Sequence, residues 1–358
     1  MWCGRKADGV VTQNSNKLEA GRAHRHHGGI LLFVATLLLG SGCTLPAYPE
    51  DSGAGPASPN LQDDAITMDD GFRLPLQRWS PEETPTAVVL ALHGFNDYRM
   101  AFDTLANGLL ADDILTVAID QRGFGETEGR GRWHGEARMG RDVRQVLGEL
   151  RARYPDQPLY LLGKSMGGAV AMTVLAGGPI PELDGTILVA PAVWSRDTMP
   201  WYQRWALAIA VRVAPTRTVS PRGLSIYPSD DMEMLREWGR DPLVIKETRI
   251  DAIYGLGNLM DQGLAATGRL NGDTLILYGE NDEVIPPTPT CRLLEKLPPR
   301  ADVNWRFVLY PEGWHMLTRD LQRERVHQDI AAWIHDRGGD LPSGLETDRD
   351  TAVERLCD

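Results

Sequence analysis

The sequence predicts a doubly wound, mostly parallel α/β sheet carrying an inserted helical cap, and three observations lead there. From about residue 64 onward, short apolar runs alternate with helical patterns. The runs are apolar throughout instead of alternating with polar residues, as strands buried on both faces must be. The rhythm breaks once: residues 194–273 hold no strand-like run but contain Trp194, Trp201, Trp205 and Trp238. So long an insertion, with apolar helical stretches of its own, reads as a cap over the sheet and not as a loop.

The elements follow in chain order. Residues 22–27 are Arg-Ala-His-Arg-His-His, and Ile30 to Leu39 is apolar except for Thr36. That run is too short to cross a ~30 Å hydrocarbon layer, which needs about 20 residues. A basic lead, a short apolar core and the small residues Gly40-Ser41-Gly42 describe an export signal over 1–42. His24, His26 and His27 read as lead charge and not as a metal site. With Cys43 next, the segment resembles a bacterial lipoprotein signal, which implies a lipidated Cys43 as the new N-terminus. A plain cleavable signal or an uncleaved anchor is the alternative. Thr44 after the cysteine points to an outer-membrane lipoprotein facing the periplasm. Residues 43–63, rich in Pro, Gly, Ala and Ser, form a flexible tether.

Strands are expected at Ala87–Leu92, Ile114–Ile119, Leu159–Leu162, Thr186–Ala190, Thr274–Tyr278 and Val303–Leu309. Met139, Val143, Val146, Leu147 and Leu150 mark one face of a helix that Pro155 ends. Further helical segments are read at Ala169–Ala176, Tyr202–Val213 and Pro289–Leu297. The core is expected over 64–193 and 272–336, the cap over 194–271. The cap aromatics either form its own core or face a pocket. Residues 337–358 read as a polar, loosely ordered tail. The four cysteines (Cys3, Cys43, Cys291, Cys357) are too few for a disulfide scaffold and lack zinc spacing. In an exported protein Cys291 and Cys357 are either free thiols or a pair that would pin the tail to the body.

Gly163-Lys164-Ser165-Met166-Gly167-Gly168 fits G-x-S-x-G between a strand and a helix. Such an elbow lifts the serine Oγ off the sheet's carboxyl edge, and flanking glycines avoid clashes in the tight turn. The helix behind it directs N–H donors at developing negative charge. A serine needs a base, and the base an orienting acid. His315 follows a strand and the loop Pro311–Trp314, whereas His327 and His335 sit in an amphipathic C-terminal helix and read as solvent-facing. Asp282 follows the strand Thr274–Tyr278; its neighbours Glu280 and Glu283 read as surface carboxylates. The order Ser165, Asp282, His315 places all three at strand carboxyl ends. His93-Gly94-Phe95 follows the strand Ala87–Leu92, so the Phe95 and Met166 N–H groups are candidates for an oxyanion hole, with His93 bracing the loop.

Together these residues, with Asp120-Gln121-Arg122-Gly123-Phe124-Gly125, Gly279-x-x-Asp282-x-Val284-x-Pro286 and Asp241-Pro242-Leu243, resemble the α/β-hydrolase superfamily over about 64–336. Within it they are similar to the monoacylglycerol lipase and lysophospholipase group. The resemblance implies a serine hydrolase acting on single-chain lipid esters through Ser165, Asp282 and His315, with no cofactor or metal. Three positions depart from the group: Lys164 stands where it often has His, Asn96 where it often has Gly, and Thr127 where it usually has Ser. An acyltransferase, thioesterase or perhydrolase with the same triad, or an inactive lipid- or partner-binding scaffold, are the alternatives. A serine at the elbow disfavours dehalogenases and epoxide hydrolases, which resemble the fold with Asp there. The net charge of −12 rises to −15 without residues 1–42. A body so acidic repels phosphate backbones and excludes nucleic acid as the main partner.

Overall fold

The computed structural model describes residues 57–177, 180–220, 225–300 and 303–357. The expected signal segment 1–42, Cys43 and most of the expected tether lie outside them. Strands β1 (Asn60–Leu61), β2 (Ala65–Thr67) and β3 (Arg73–Trp79) form an antiparallel lead-in. It joins β4 (Ala87–Leu92), β5 (Ile114–Ile119), β6 (Leu159–Lys164), β7 (Gly185–Val189), β10 (Thr274–Gly279) and β11 (Trp305–Tyr310), which pair in parallel. The order is β1-β2-β3-β5-β4-β6-β7-β10-β11-β12, with β12 at Glu346–Thr347. Every residue of β4, β5, β6, β7, β10 and β11 is buried, as their unbroken apolar character requires.

Helices cover both faces. On one lie α1 (Asp103–Leu109) and, late in the chain, α8 (Arg323–His335), closing a core around Phe102, Tyr160 and Trp333. On the other lie α2 (Glu136–Arg153) and α3 (Met166–Ala176), which share a core with β6 and β7. In α2 the expected stripe Met139, Val143, Val146, Leu147, Leu150 is buried. In α3 nine residues from Met166 to Leu175 are buried, so the helix is apolar all round and sits wholly inside.

The insertion holds α4 (Trp201–Val213), a small antiparallel pair of β8 (Thr218–Val219) and β9 (Thr248–Arg249), α5 (Met232–Arg240) and α6 (Ile250–Ala266). The expected extent of the cap changes here. The helix α6 is not cap: Leu259, Met260, Leu264 and Ala266 join the main core. A Cβ placed on Gly263 would come within 3.2 Å of the Ala169 Cβ, so α6 lies directly on α3. Of the cap aromatics, left open between a core of their own and a pocket, Trp201 and Trp205 are 72% and 65% exposed, whereas Trp194 packs against the main core.

The C-terminal segment is ordered, which corrects the reading of a loose tail. β12 adds antiparallel to β11, with Thr347 opposite Phe307. The helix α9 (Arg349–Cys357) buries Ala352, brings Val353 and Leu356 onto the core, and is joined to α7 (Pro287–Lys296) by a Cys291–Cys357 disulfide. No helix among the described residues is long and apolar enough to cross a membrane.

Candidate active site

Ser165 follows β6 and caps α3 with φ 52° and ψ −116°, a conformation that costs about 1–3 kcal/mol and persists only where the surroundings over-determine it. They do. Its N–H donates to the Val189 carbonyl at 2.9 Å, and its own carbonyl accepts from Gly168, Ala169 and Ala192 at 2.9–3.1 Å. The flanking glycines are obligatory: a Cβ on Gly163 would lie 2.4 Å from the Gly167 oxygen, and one on Gly167 2.1 Å from the Leu92 oxygen. The elbow is held by neighbours that leave no room for a side chain.

The structure brings the three separate strand ends together. Ser165 Oγ lies 3.0 Å from His315 Nε2, and His315 Nδ1 lies 2.8 Å from Asp282 Oδ2. The second carboxylate oxygen, Oδ1, accepts from the Val284 and Ile285 N–H groups, both at 2.8 Å. Asp282 is thereby fixed from both sides, and Nδ1–H donates to it. Nε2 is left as the acceptor for the serine proton. Glu280 instead pairs with Arg355, and Glu283 accepts from the Tyr227 N–H. Neither rival acid bonds the histidine.

The loop after β4 sits beside the nucleophile: a Cβ on Gly94 would lie 3.3 Å from the Ser165 Cβ. The Phe95 N–H and the Met166 N–H, which opens α3, donate to no other group among the described residues. His93 does brace this loop. Its Nε2 accepts from the Gln121 N–H at 3.0 Å and its Nδ1 donates to the Gly94 carbonyl at 2.8 Å; burial holds its pKa below the ordinary value. Both ring nitrogens are committed, so His93 has none left to serve as a base. Asn96 follows at φ 63°, where glycine is easiest and Asn is tolerated; its Nδ2 donates to Thr248 Oγ1 at 2.7 Å, tying the loop to the insertion. The half-buried Phe95 packs between Phe124 and Trp133, whose ring centroids lie 5.7 and 6.3 Å from its own.

The Asp120–Gly125 motif is scaffolding. Asp120 Oδ1 accepts from the Arg99 N–H and Oδ2 from the Glu126 N–H, both at 2.8 Å. Gly125, at φ 58°, passes so close that a Cβ would meet Asp120 Oδ2 at 2.2 Å. Thr127 supplies the hydroxyl expected of Ser there, accepting from the Gly123 N–H at 3.0 Å and donating to the Phe124 carbonyl at 2.7 Å. His327, read as solvent-facing, is buried and bonded to the Thr318 carbonyl at 3.0 Å. Its helix face turns inward because α8 packs on α1 and the sheet.

A buried charged cluster beneath the triad was not foreseen. Asp97, two residues beyond Phe95, pairs with Arg319, four beyond His315, so the oxyanion loop and the histidine loop share one ion pair. No short-range pattern links residues 222 positions apart. Burial alone would raise the Asp97 pKa, but Arg319, Lys164 and His93 pull it below the ordinary range. Lys164 is 2% exposed in the same cluster. Burial, and then the Arg319 guanidinium, push its ammonium down to about 7 against the pull of Asp97, Asp282 and Asp320.

That shift has a sign. Between about 7 and the ordinary 10.5, the unfolded chain holds more protons at Lys164 than the folded one, so stability rises with pH across that window. The slope reaches at most ~1.4 kcal/mol per pH unit for one proton. Asp320, pushed by burial to about 7 from 3.8, acts in the opposite sense but at lower pH. Urea unfolding is therefore expected to show stability rising between pH 7 and 10, and Lys164→Met to flatten that rise. An unchanged slope would assign the proton uptake elsewhere.

A nucleophile elbow on a mostly parallel sheet, served by an acid and a histidine from later strand ends, defines the α/β-hydrolase fold with the constellation of a serine hydrolase. The profile of the family described as "Serine aminopeptidase, S33" matches residues 83–322, and the chain belongs to that family. It is 26% identical over 270 residues to the monoacylglycerol lipase of Mycolicibacterium smegmatis, covering 74% of this chain and 93% of that one. To the monoglyceride lipase of Homo sapiens it is 26% identical over 274 residues, covering 75% and 88%. A soluble variant of the Saccharomyces cerevisiae monoglyceride lipase, solved with a substrate analogue, superposes with a TM-score of 0.62 at 20% identity, covering 82% of this chain and 99% of that one.

Proposed function

We propose that the protein is a carboxylester hydrolase of single-chain lipid esters, with monoacylglycerol as its substrate. The observation that carries the reading is the relay from Ser165 Oγ through His315 to Asp282 at 3.0 and 2.8 Å. His315 Nε2 takes the serine proton as Oγ attacks the ester carbonyl, and Asp282 stabilises the imidazolium. The Phe95 and Met166 N–H groups receive the oxyanion. The imidazolium returns the proton to the leaving glycerol oxygen, and water, activated by the same histidine, releases the fatty acid. The half-buried Phe95 ring beside the nucleophile suits an acyl chain, and monoacylglycerol lipases are among the relatives that the chain matches. The test is fatty-acid release from a monoacylglycerol set against a water-soluble acetate ester. Preference for the acetate would remove the lipid from the reading.

The enzyme would work at a membrane surface of the cell envelope, exported by the segment 1–42 and held there by a lipid on Cys43. An intramolecular disulfide fits an oxidising compartment. The helix α4 supports the surface as well. Trp201, Tyr202, Trp205, Ile209 and Val213 are all more than half exposed along it. Residues 198–229 contain four Arg and no Asp or Glu, in a chain of net charge −12. An apolar stripe with basic residues matches anionic headgroups over acyl chains. Changing Trp201, Trp205 and Ile209 together to Ser should cut hydrolysis of monoacylglycerol in anionic vesicles by about tenfold or more. Turnover of a soluble short-chain ester should stay the same. Equal losses on both substrates would remove the docking role.

A further inference from the structure

The turn that carries Asp282 is held at both ends by one helix. The turn leaves β10 at Gly279 and enters α7 at Pro287. Before Asp282, Glu280 pairs with Arg355 of α9 at 2.5 Å. After it, Cys291 on α7 is bonded to Cys357 of the same helix. The family match ends at residue 322, so α9 lies outside the part of the chain that defines the fold. It is nevertheless well seated. Arg349 donates to the Leu297 and Pro298 carbonyls at 2.6 and 3.0 Å and lies over the Trp305 ring. β12, just before it, continues the sheet beyond β11, the strand that leads into the His315 loop. The C-terminal segment therefore touches the supports of both the acid and the base.

We infer that α9 is a positioning element for the catalytic acid: the Arg355–Glu280 pair and the Cys291–Cys357 bond clamp the turn on either side of Asp282 and keep its carboxylate at hydrogen-bond distance from His315. A half-exposed ion pair alone is worth little. The covalent tie supplies what the pair lacks, since it holds α9 beside α7 and keeps Arg355 opposite Glu280. The inference rests on the reading of Asp282 as the triad acid. It gives Glu280 a function that its place beside Asp282 had left open.

The test compares the oxidised full chain with the chain treated with a phosphine reductant. The phosphine gives two electrons to the disulfide and becomes its oxide with an oxygen from water, which also supplies the two thiol protons. Thiol titration confirms the reduction, and a fluorophosphonate counts active sites. Reduction is expected to lower kcat per titrated site by about ten- to a hundredfold, because small misplacements of catalytic groups cost that much. KM should stay unchanged, and the low-field NMR proton of the His315–Asp282 hydrogen bond should broaden. The double variant C291S/C357S should match the reduced enzyme and ignore the phosphine. Arg355→Ala, a surface change that leaves the disulfide in place, should move kcat in the same direction, with Arg355→Lys restoring part of it.

Unchanged kcat and an unchanged NMR proton in the fully reduced chain would overturn the inference. So would fewer titrated sites with normal turnover at each, since that means general loosening. If the oxidised enzyme itself neither turns over esters nor takes the phosphonate on Ser165, the reading of the site fails and this inference falls with it.

Discussion

Ser165→Ala is expected to lower kcat by about a millionfold, the scale seen when the nucleophile of subtilisin is removed. The loss is large because every later step depends on Oγ. Without it His315 has no proton to take and no acyl-enzyme forms. The Phe95 and Met166 donors then face a carbonyl that nothing attacks. Folding should hardly change. Alanine keeps the Cβ and so meets the same restraint at φ 52°, and the backbone bonds from Val189, Gly168, Ala169 and Ala192 remain. Among the described residues the side chain's one hydrogen bond is the 3.0 Å contact to His315, worth about 1 kcal/mol. Fluorophosphonate should label the parent at Ser165 and the variant nowhere, with the adduct mapped by mass spectrometry. Hydrolysis at the parental rate by pure variant would mean that another group is the nucleophile.

The strands and the three reacting groups were legible because each is written in a short stretch. Ala87–Leu92 and Ile114–Ile119 form strands with the expected ends, since their burial on both faces shows as uninterrupted apolar residues. Ser165, Asp282 and His315 each follow such a run, and a parallel sheet gathers all carboxyl ends on one edge. What stayed hidden depends on contacts between distant residues. Nothing near Lys164 shows that its ammonium is enclosed by Asp97, Asp282, Asp320 and Arg319. The order in residues 337–357 comes partly from β12 pairing with β11, invisible in a polar, glycine-rich composition, and partly from the Cys291–Cys357 bond, which the cysteine positions had offered as one of two alternatives. The same holds for α6, whose apolar residues at helical spacing could face a cap or a core with equal ease; packing on α3 decides it. Asn96 and Thr127 looked like departures from a pattern and prove to be substitutes that do the same local work.

Asp282→Asn should be the next most damaging change, costing about four orders of magnitude in kcat, as the equivalent change does in the chymotrypsin-type triad. The geometry here says why. Oδ1 accepts two backbone N–H groups, from Val284 and Ile285, so in the variant the amide oxygen must occupy that position. The amide NH2 then points at His315 Nδ1, 2.8 Å away in the parent, and offers it a donor instead of an acceptor. The ring responds with the other tautomer: Nδ1 accepts and Nε2 carries the proton. Nε2–H now faces Ser165 Oγ as a donor and cannot take its proton. The fold is unaffected, because the amide has the carboxylate's shape and keeps its backbone partners. Phosphonate labelling of Ser165 should slow in step with kcat, whereas Glu283→Gln, whose partner is the Tyr227 N–H, should leave both rates at the parental level. Full activity in Asp282→Asn would mean that the histidine is oriented by some other group, and the relay read from these distances would not be the one that works.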